Sequence, residues 1–228
     1  MQNIEKNLNQ IQARIQQAES QYQRNPGSVL LLAVSKRKPA SDIRLAYQCG
    51  QRDFGENYLQ EAQSKMQDLQ DLDIDWHFIG AIQSNKTKDI ARSFSWAHCI
   101  ERYKIAQRLS DQRPPDMPPL NVCIQVNLDQ ESSKAGIMLE AVPELAARIH
   151  ELPGIQLRGL MTIPAPRENF EQQRAAFARM STQLDSLQRS GISCDTLSMG
   201  MTQDMEAAIA EGSTLVRIGT AIFGERNG

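Results

Sequence analysis

The sequence lacks several features that would assign it to a class at once. No apolar run approaches the length needed to cross a bilayer, and Met1-Gln2-Asn3-Ile4-Glu5-Lys6 has no apolar core of a secretory leader. Charge of one sign is absent too: the formal net charge is -2, so there is no basic field for nucleic acid and no polybasic tail for an anionic membrane. The four cysteines (Cys49, Cys99, Cys123, Cys194) are scattered, with no C-x-x-C pair, and are read as small buried residues rather than disulfide partners. The three histidines show no metal-ligand spacing with acidic or cysteine partners, so no metal site is expected. No glycine-rich dinucleotide loop follows the first strand. What remains is a reduced, cytoplasmic protein whose 40% hydrophobic content suffices for a substantial core in one domain, 1–228.

The first informative stretch is Val29-Leu30-Leu31-Leu32-Ala33-Val34-Ser35-Lys36. An unbroken apolar run of this length suits a strand buried on both faces, as in parallel sheets. Lys36 then stands at the strand's C-terminal end, where α/β folds place ligands. Before it, Ile4, Leu8, Ile11, Ile15, Ala18 and Tyr22 form a helical stripe stopped by Asn25-Pro26-Gly27. Further strands are expected at 53–57, 75–80, 96–100, 120–127, within 155–163, at 194–199 and at 215–218. Helices fill the intervals, with Ser41 predicted to cap the second and Thr202 the one that begins at Gln203. The polar loop from Asp129 to Gly136 reads as solvated, Lys134 included.

Eight strands alternating with helices imply parallel pairing and right-handed crossovers. A closed (β/α)8 barrel explains the count best; an open doubly wound sheet is the alternative. No helix is expected after the last strand, and the extra N-terminal helix covers the gap that this leaves.

In a barrel the strand ends converge on one face. They bring together Lys36, Asn57, His77, Asn127, Met161-Thr162, Ser198-Met199-Gly200-Met201-Thr202 and Arg217-Ile218-Gly219-Thr220. The last two groups carry glycine and hydroxyl residues in the loops where barrels bind phosphate. A lysine facing a phosphate site suggests imine chemistry with a phosphorylated carbonyl compound, favoured if Arg37 and Lys38 lie near enough to lower its pKa. A solvated lysine in a basic turn explains Lys36 equally well on spacing alone. Arg217, inside the last strand, needs a carboxylate or a ligand as partner. His77 reads as a hydrogen-bonded core residue, while Glu56 and Asn57 fit either cofactor orientation or a capped turn.

Taken together, Leu32-Ala33-Val34-Ser35-Lys36, Phe54-Gly55-Glu56-Asn57-Tyr58, Trp76-His77-Phe78-Ile79-Gly80, Gln83-Ser84-Asn85-Lys86, Arg158-Gly159-Leu160-Met161, Ser198-Met199-Gly200-Met201 and Arg217 to Gly224 resemble the pyridoxal phosphate homeostasis protein family (the YggS/PROSC group). The resemblance spans essentially the whole chain. It implies a single-domain barrel like the N-terminal domain of alanine racemases, with pyridoxal 5'-phosphate held as an aldimine on Lys36. It also implies phosphate contacts at Ser198, Met201, Gly219 and Thr220, Arg217 at the pyridine nitrogen, and Asn57 as a cofactor contact. Alanine racemases use a further, β-rich domain for a second acid/base, and this chain ends at Gly228, just after the barrel. The implied function is storage, delivery or regulation of the cofactor by a monomer, in vitamin B6 and amino-acid homeostasis, with PLP-dependent apoenzymes as possible recipients. An amino-acid racemase-type enzyme and a Schiff-base aldolase are the alternatives.

Overall fold

The computed structural model describes residues 3–129 and 135–225, so the expectation for Lys134 lies outside the described residues. Eight parallel strands close into a barrel in simple sequence order. They are β1 (Leu30–Val34), β2 (Asp53–Glu56), β3 (Asp75–Phe78), β4 (Trp96–Ile100), β5 (Leu120–Val126), β6 (Ile155–Thr162), β7 (Thr196–Ser198) and β8 (Leu215–Ile218). The ring closes by β1 lying parallel to β8, with Leu32 beside Arg217 and Ala33 beside Ile218. Short strands suffice because each is buried on both faces and flanked by a helix that covers its outer side.

The N-terminal helix α1 (Ile4–Gln21) buries Ile4, Leu8, Ile11, Ile15 and Ala18, the stripe visible in the sequence. It packs on α2 (Ala40–Gln48), on α8 (Met205–Ala210) and on α9 (Thr220–Phe223). Asn7 Nδ2 donates to the Ile222 carbonyl, and Arg14 pairs with Glu206. Helix α1 thus occupies the position expected of it. The expectation that nothing helical follows the last strand needs amending: α9 adds one turn, too short to cover a barrel face.

Two predicted caps are corrected. Pro39, not Ser41, stands at the N-cap of α2, because Pro39 holds the extended backbone that precedes a first turn while Ser41 is already helical. Asp204, not Thr202, precedes α8; a turn from Met201 to Asp204 delays the helix by two residues. Pro143 sits in the first turn of α6 (Val142–His150), where its missing N–H costs no helix hydrogen bond.

All four cysteines are free; Cys99, Cys123 and Cys194 are buried and Cys49 is half-buried. Burial raises the Cys99 thiol to about 12 and Cys194 to about 11, and lifts Cys123 higher still. The thiolate is the reactive form. At pH 8 a thiol-specific disulfide reagent should therefore label Cys49 alone in the native protein, and all four thiols after denaturation. Rapid native labelling of a second cysteine would contradict this burial.

Candidate functional site

A cavity of about 240 Å³ opens at the C-terminal ends of the strands. It is lined by Val34, Lys36, Asn57, Ile79, Met161, Ile163, Met201, Thr202, Arg217, Gly219 and Thr220. Of the predicted site residues, Lys36, Asn57, Met201, Arg217, Gly219 and Thr220 meet there. Ser198 does not line the cavity: it is fully buried, with its hydroxyl engaged in the barrel interior.

Lys36 lies in a tightly held turn just past β1. Arg37 adopts a left-handed backbone (φ 60°), unusual for a residue with a side chain. The turn is clamped from α3 (Leu59–Asp68) and from the end of β2. Glu61 accepts the Arg37 N–H, and Lys65 Nζ donates to the Ser35 carbonyl at 2.8 Å, to Glu56 Oε1 at 2.7 Å and to Glu61 Oε1 at 2.6 Å. Ser35 Oγ donates to the same Glu56 oxygen at 2.6 Å. Burial pushes the Glu56 carboxyl above its ordinary range, against the pull of Lys65 and Ser35. Glu56 therefore braces the lysine turn and does not orient a ligand. Sequence reading missed Lys65, although its i,i+4 spacing from Glu61 was visible. Arg37 and Lys38 turn away from the cavity: Arg37 reaches Tyr58, and Lys38 Nζ donates to the Glu225 carbonyl.

Among the described residues, Arg217 has no carboxylate within ion-pair distance. Nη1 donates to the carbonyl and hydroxyl of Ser198 at 2.6 and 2.7 Å, and Nη2 donates to the Thr162 carbonyl at 2.8 Å. Burial lowers its pKa, but a guanidinium stays protonated. Its remaining N–H donors are left for the cavity that it lines. Asn57 brings a buried Oδ1 without a protein partner to the same rim. Across from it, the one-turn α9 leaves the Thr220 and Ala221 N–H groups without acceptors inside the turn. Gly219 approaches β1 so closely that a Cβ there would lie 3.1 Å from the Val34 carbonyl oxygen. The Met201 N–H is taken by Asp204 Oδ1 at 2.6 Å, and burial raises the Asp204 carboxyl. The arrangement combines one primary amine, one fixed cation, apolar walls and a small-residue rim rich in backbone N–H.

The family model for the alanine racemase N-terminal domain matches residues 3–227. A pyridoxal phosphate homeostasis protein of Pseudomonas aeruginosa is 54% identical over 227 residues, 100% of this chain and 97% of that protein. The chain belongs to the pyridoxal phosphate homeostasis protein family. PipY of Synechococcus elongatus, solved with PLP bound, is 36% identical with a TM-score of 0.81, covering 92% of this chain and 100% of that one. An alanine racemase from Corynebacterium glutamicum shares the fold alone, with 16% identity, a TM-score of 0.71 and coverage of 99% of this chain and 61% of that one. The parallel barrel, and the position of Lys36 just past β1, are where the sequence motifs placed them. No helix among the described residues is long and apolar enough to cross a membrane, and no cluster of three metal-ligating side chains occurs among them.

Proposed function

We propose that this protein holds and releases pyridoxal 5'-phosphate through Lys36, and so serves vitamin B6 and amino-acid homeostasis as a carrier or regulator rather than a catalyst. One observation carries the reading. Among the described residues lining the cavity, Lys36 brings the one primary amine; the others are apolar, amide, hydroxyl or guanidinium groups, with no carboxylate, imidazole, thiol or phenol among them to serve as a second acid/base. Racemisation by removing a proton from one face and returning it to the other needs a second acid/base opposite the first.

The cavity residues fit this cofactor. When bound, pyridoxal phosphate supplies an aldehyde that condenses reversibly with a primary amine. Lys36 provides that amine from a turn held through its backbone by Glu61 and Lys65 and through the Ser35 hydroxyl by Glu56. Gly219 and Thr220, with the open N–H groups of α9, form the anion side of the cavity, and Met201 and Thr202 close it. Asn57 has an acceptor to satisfy at the rim. Arg217 offers a donor that is not an effective acid, so a ring nitrogen facing it stays an acceptor and the electron-sink character of the ring is weakened. Val34, Ile79, Met161 and Ile163 exclude water. Ser198 supports Arg217 from below. PLP-dependent apoenzymes are the natural recipients of a reversibly held cofactor, and a cytoplasmic monomer is the form in which we expect the protein to act. That its relatives are pyridoxal phosphate homeostasis proteins supports the same reading.

The test is borohydride reduction of the protein after incubation with pyridoxal phosphate, followed by peptide mass mapping. A pyridoxyl group on the Lys36 peptide is expected. An adduct found only elsewhere overturns the proposal.

A further inference from the structure

The barrel interior holds a feature that carrying a cofactor does not by itself require. Where barrels usually pack branched apolar residues, a chain of polar side chains crosses from the lower rim to the cavity. Asp53 Oδ1 lies 3.2 Å from His77 Nε2; His77 Nδ1 lies 2.9 Å from His98 Nε2; His98 Nδ1 lies 2.9 Å from Ser198 Oγ, which accepts from Arg217 Nη1. His77, His98 and Ser198 are wholly buried, while Asp53 is partly open to solvent. Trp96 stacks face to face on His77 with ring centroids 5.3 Å apart.

Only one arrangement of protons pairs every donor with an acceptor. Burial, aided by His77 and Arg217, holds His98 neutral. Arg217 donates to the Ser198 oxygen, and among the described residues His98 Nδ1 is the acceptor in reach of the Ser198 hydroxyl hydrogen, so that hydrogen goes to His98 Nδ1. His98 Nε2 then carries the ring proton and donates to His77 Nδ1, leaving His77 Nε2–H to donate to the Asp53 carboxylate. The opposite direction aims a lone pair of neutral His77 at a carboxylate or requires a buried imidazolium. These tautomers are assigned from the hydrogen-bond network. The chain therefore has a fixed polarity, with an anion at the lower rim and Arg217 at the cavity.

We propose that His98, backed by His77 and Asp53, is a positioning residue that sets the cavity's grip on its ligand: it orients the Ser198 hydroxyl, and Ser198 fixes the guanidinium of Arg217 toward the cofactor. The inference rests on the cofactor reading given above. Its logic is that Arg217 is bound only through oxygen acceptors, two of them main-chain carbonyls. The Ser198 hydroxyl is the one side-chain partner, and its direction is decided by His98.

Two substitutions separate this role from simple packing. Asparagine places an acceptor near the His98 Nδ1 position and loses the donor at Nε2; glutamine keeps a group near Nε2 and loses the acceptor at Nδ1. Both lose the ring and should lower the melting temperature. Titration with pyridoxal phosphate, followed by visible absorbance, should show His98→Gln weakened about tenfold or more with a shifted band, as expected for disturbing a hydrogen bond to a charged group. The conservative variant His98→Asn should restore affinity to within about threefold, since the acceptor for Ser198 is kept. Ser198→Ala, which leaves both rings in place, should reproduce the loss seen with His98→Gln. In the cofactor-free wild type, ring nitrogen-15 shifts should report an Nε2–H tautomer for His98.

An Nδ1–H tautomer for His98 overturns the relay. So does an affinity loss that is equal in the Asn and Gln variants, or a Ser198→Ala variant that binds as wild type. Wild-type protein that takes up no pyridoxal phosphate overturns the cofactor reading, and with it the purpose assigned to the relay, while the tautomer result stands by itself.

Discussion

Replacing Lys36 with alanine should abolish covalent retention of pyridoxal phosphate while leaving the barrel folded. The wild type, saturated at about a hundredfold excess over its dissociation constant, gains about 2.7 kcal/mol from the ligand. For a domain of this size that is a rise of about 5–10 °C in melting temperature. The variant should show almost none of that rise, no visible imine band and no borohydride-fixed adduct. Its unfolding free energy without cofactor should change by no more than about 1 kcal/mol, because the residue is only half-buried and lies in a turn held by its neighbours. Nearby amines are poor substitutes: Lys65 Nζ already serves three acceptors, two of them carboxylates, and Lys38 is bound to the Glu225 carbonyl. A Lys36→Ala protein with an undiminished ligand-induced thermal shift would refute the anchor.

Lys65→Met should be the most destabilising single substitution near the site, by about 3–5 kcal/mol. It removes one member of a buried ion pair and leaves a charge without compensation. Glu56 is completely buried, its Oε2 has no partner, and Lys65 is the cation facing it. The physical test is a double-mutant cycle: Glu56→Gln combined with Lys65→Met should recover more than half of the deficit, since the stranded charge is gone. The pH dependence has a definite sign. The folded pKa of Glu56 lies above its unfolded value, so its contribution is fully present below the unfolded pKa and is lost as pH rises through the folded one. Without Lys65 that folded value moves higher still. The deficit of Lys65→Met should accordingly be largest at neutral and alkaline pH and should narrow as the pH falls toward the carboxylate range, where Glu56 takes up a proton. Urea unfolding of both proteins across that range measures it; a deficit independent of pH would show that packing, not charge, dominates.

Much of this architecture was readable beforehand because buried parallel strands and amphipathic helices write different periods into a sequence. Val29 to Val34 is an unbroken apolar run, whereas Ile4, Leu8, Ile11 and Ile15 recur by three and four. The barrel then followed from eight strands alternating with helices, and the barrel placed Lys36, Asn57, Arg217 and Gly219 on one face. What escaped were matters of side-chain direction. Ser198 sits at the end of the expected strand, but its hydroxyl points inward to His98, a partner a hundred residues away in sequence. Local pattern carries no record of which inward residues meet across a lumen. Glu56 was read as a ligand-facing group or a cap, because the outward turn that gives it to Lys65 depends on the pleat of a four-residue strand. Ser41 and Thr202 were good capping residues displaced by neighbours whose backbone conformations already satisfied the helix start.

The seating of α1 has a consequence for the order in which the molecule can be built. Its apolar face finds its covers in α8 and α9, and Asn7 bonds to Ile222, 215 positions away. During synthesis, Ile4, Leu8 and Ile11 emerge long before those covers exist, because α8 and α9 lie far downstream. The edge of β1 likewise waits for β8. Closure of the ring thus waits for β8, and a ribosome stalled before β8 would display both an apolar helix without these covers and an open strand edge, the surfaces by which an unfinished chain aggregates or engages a chaperone.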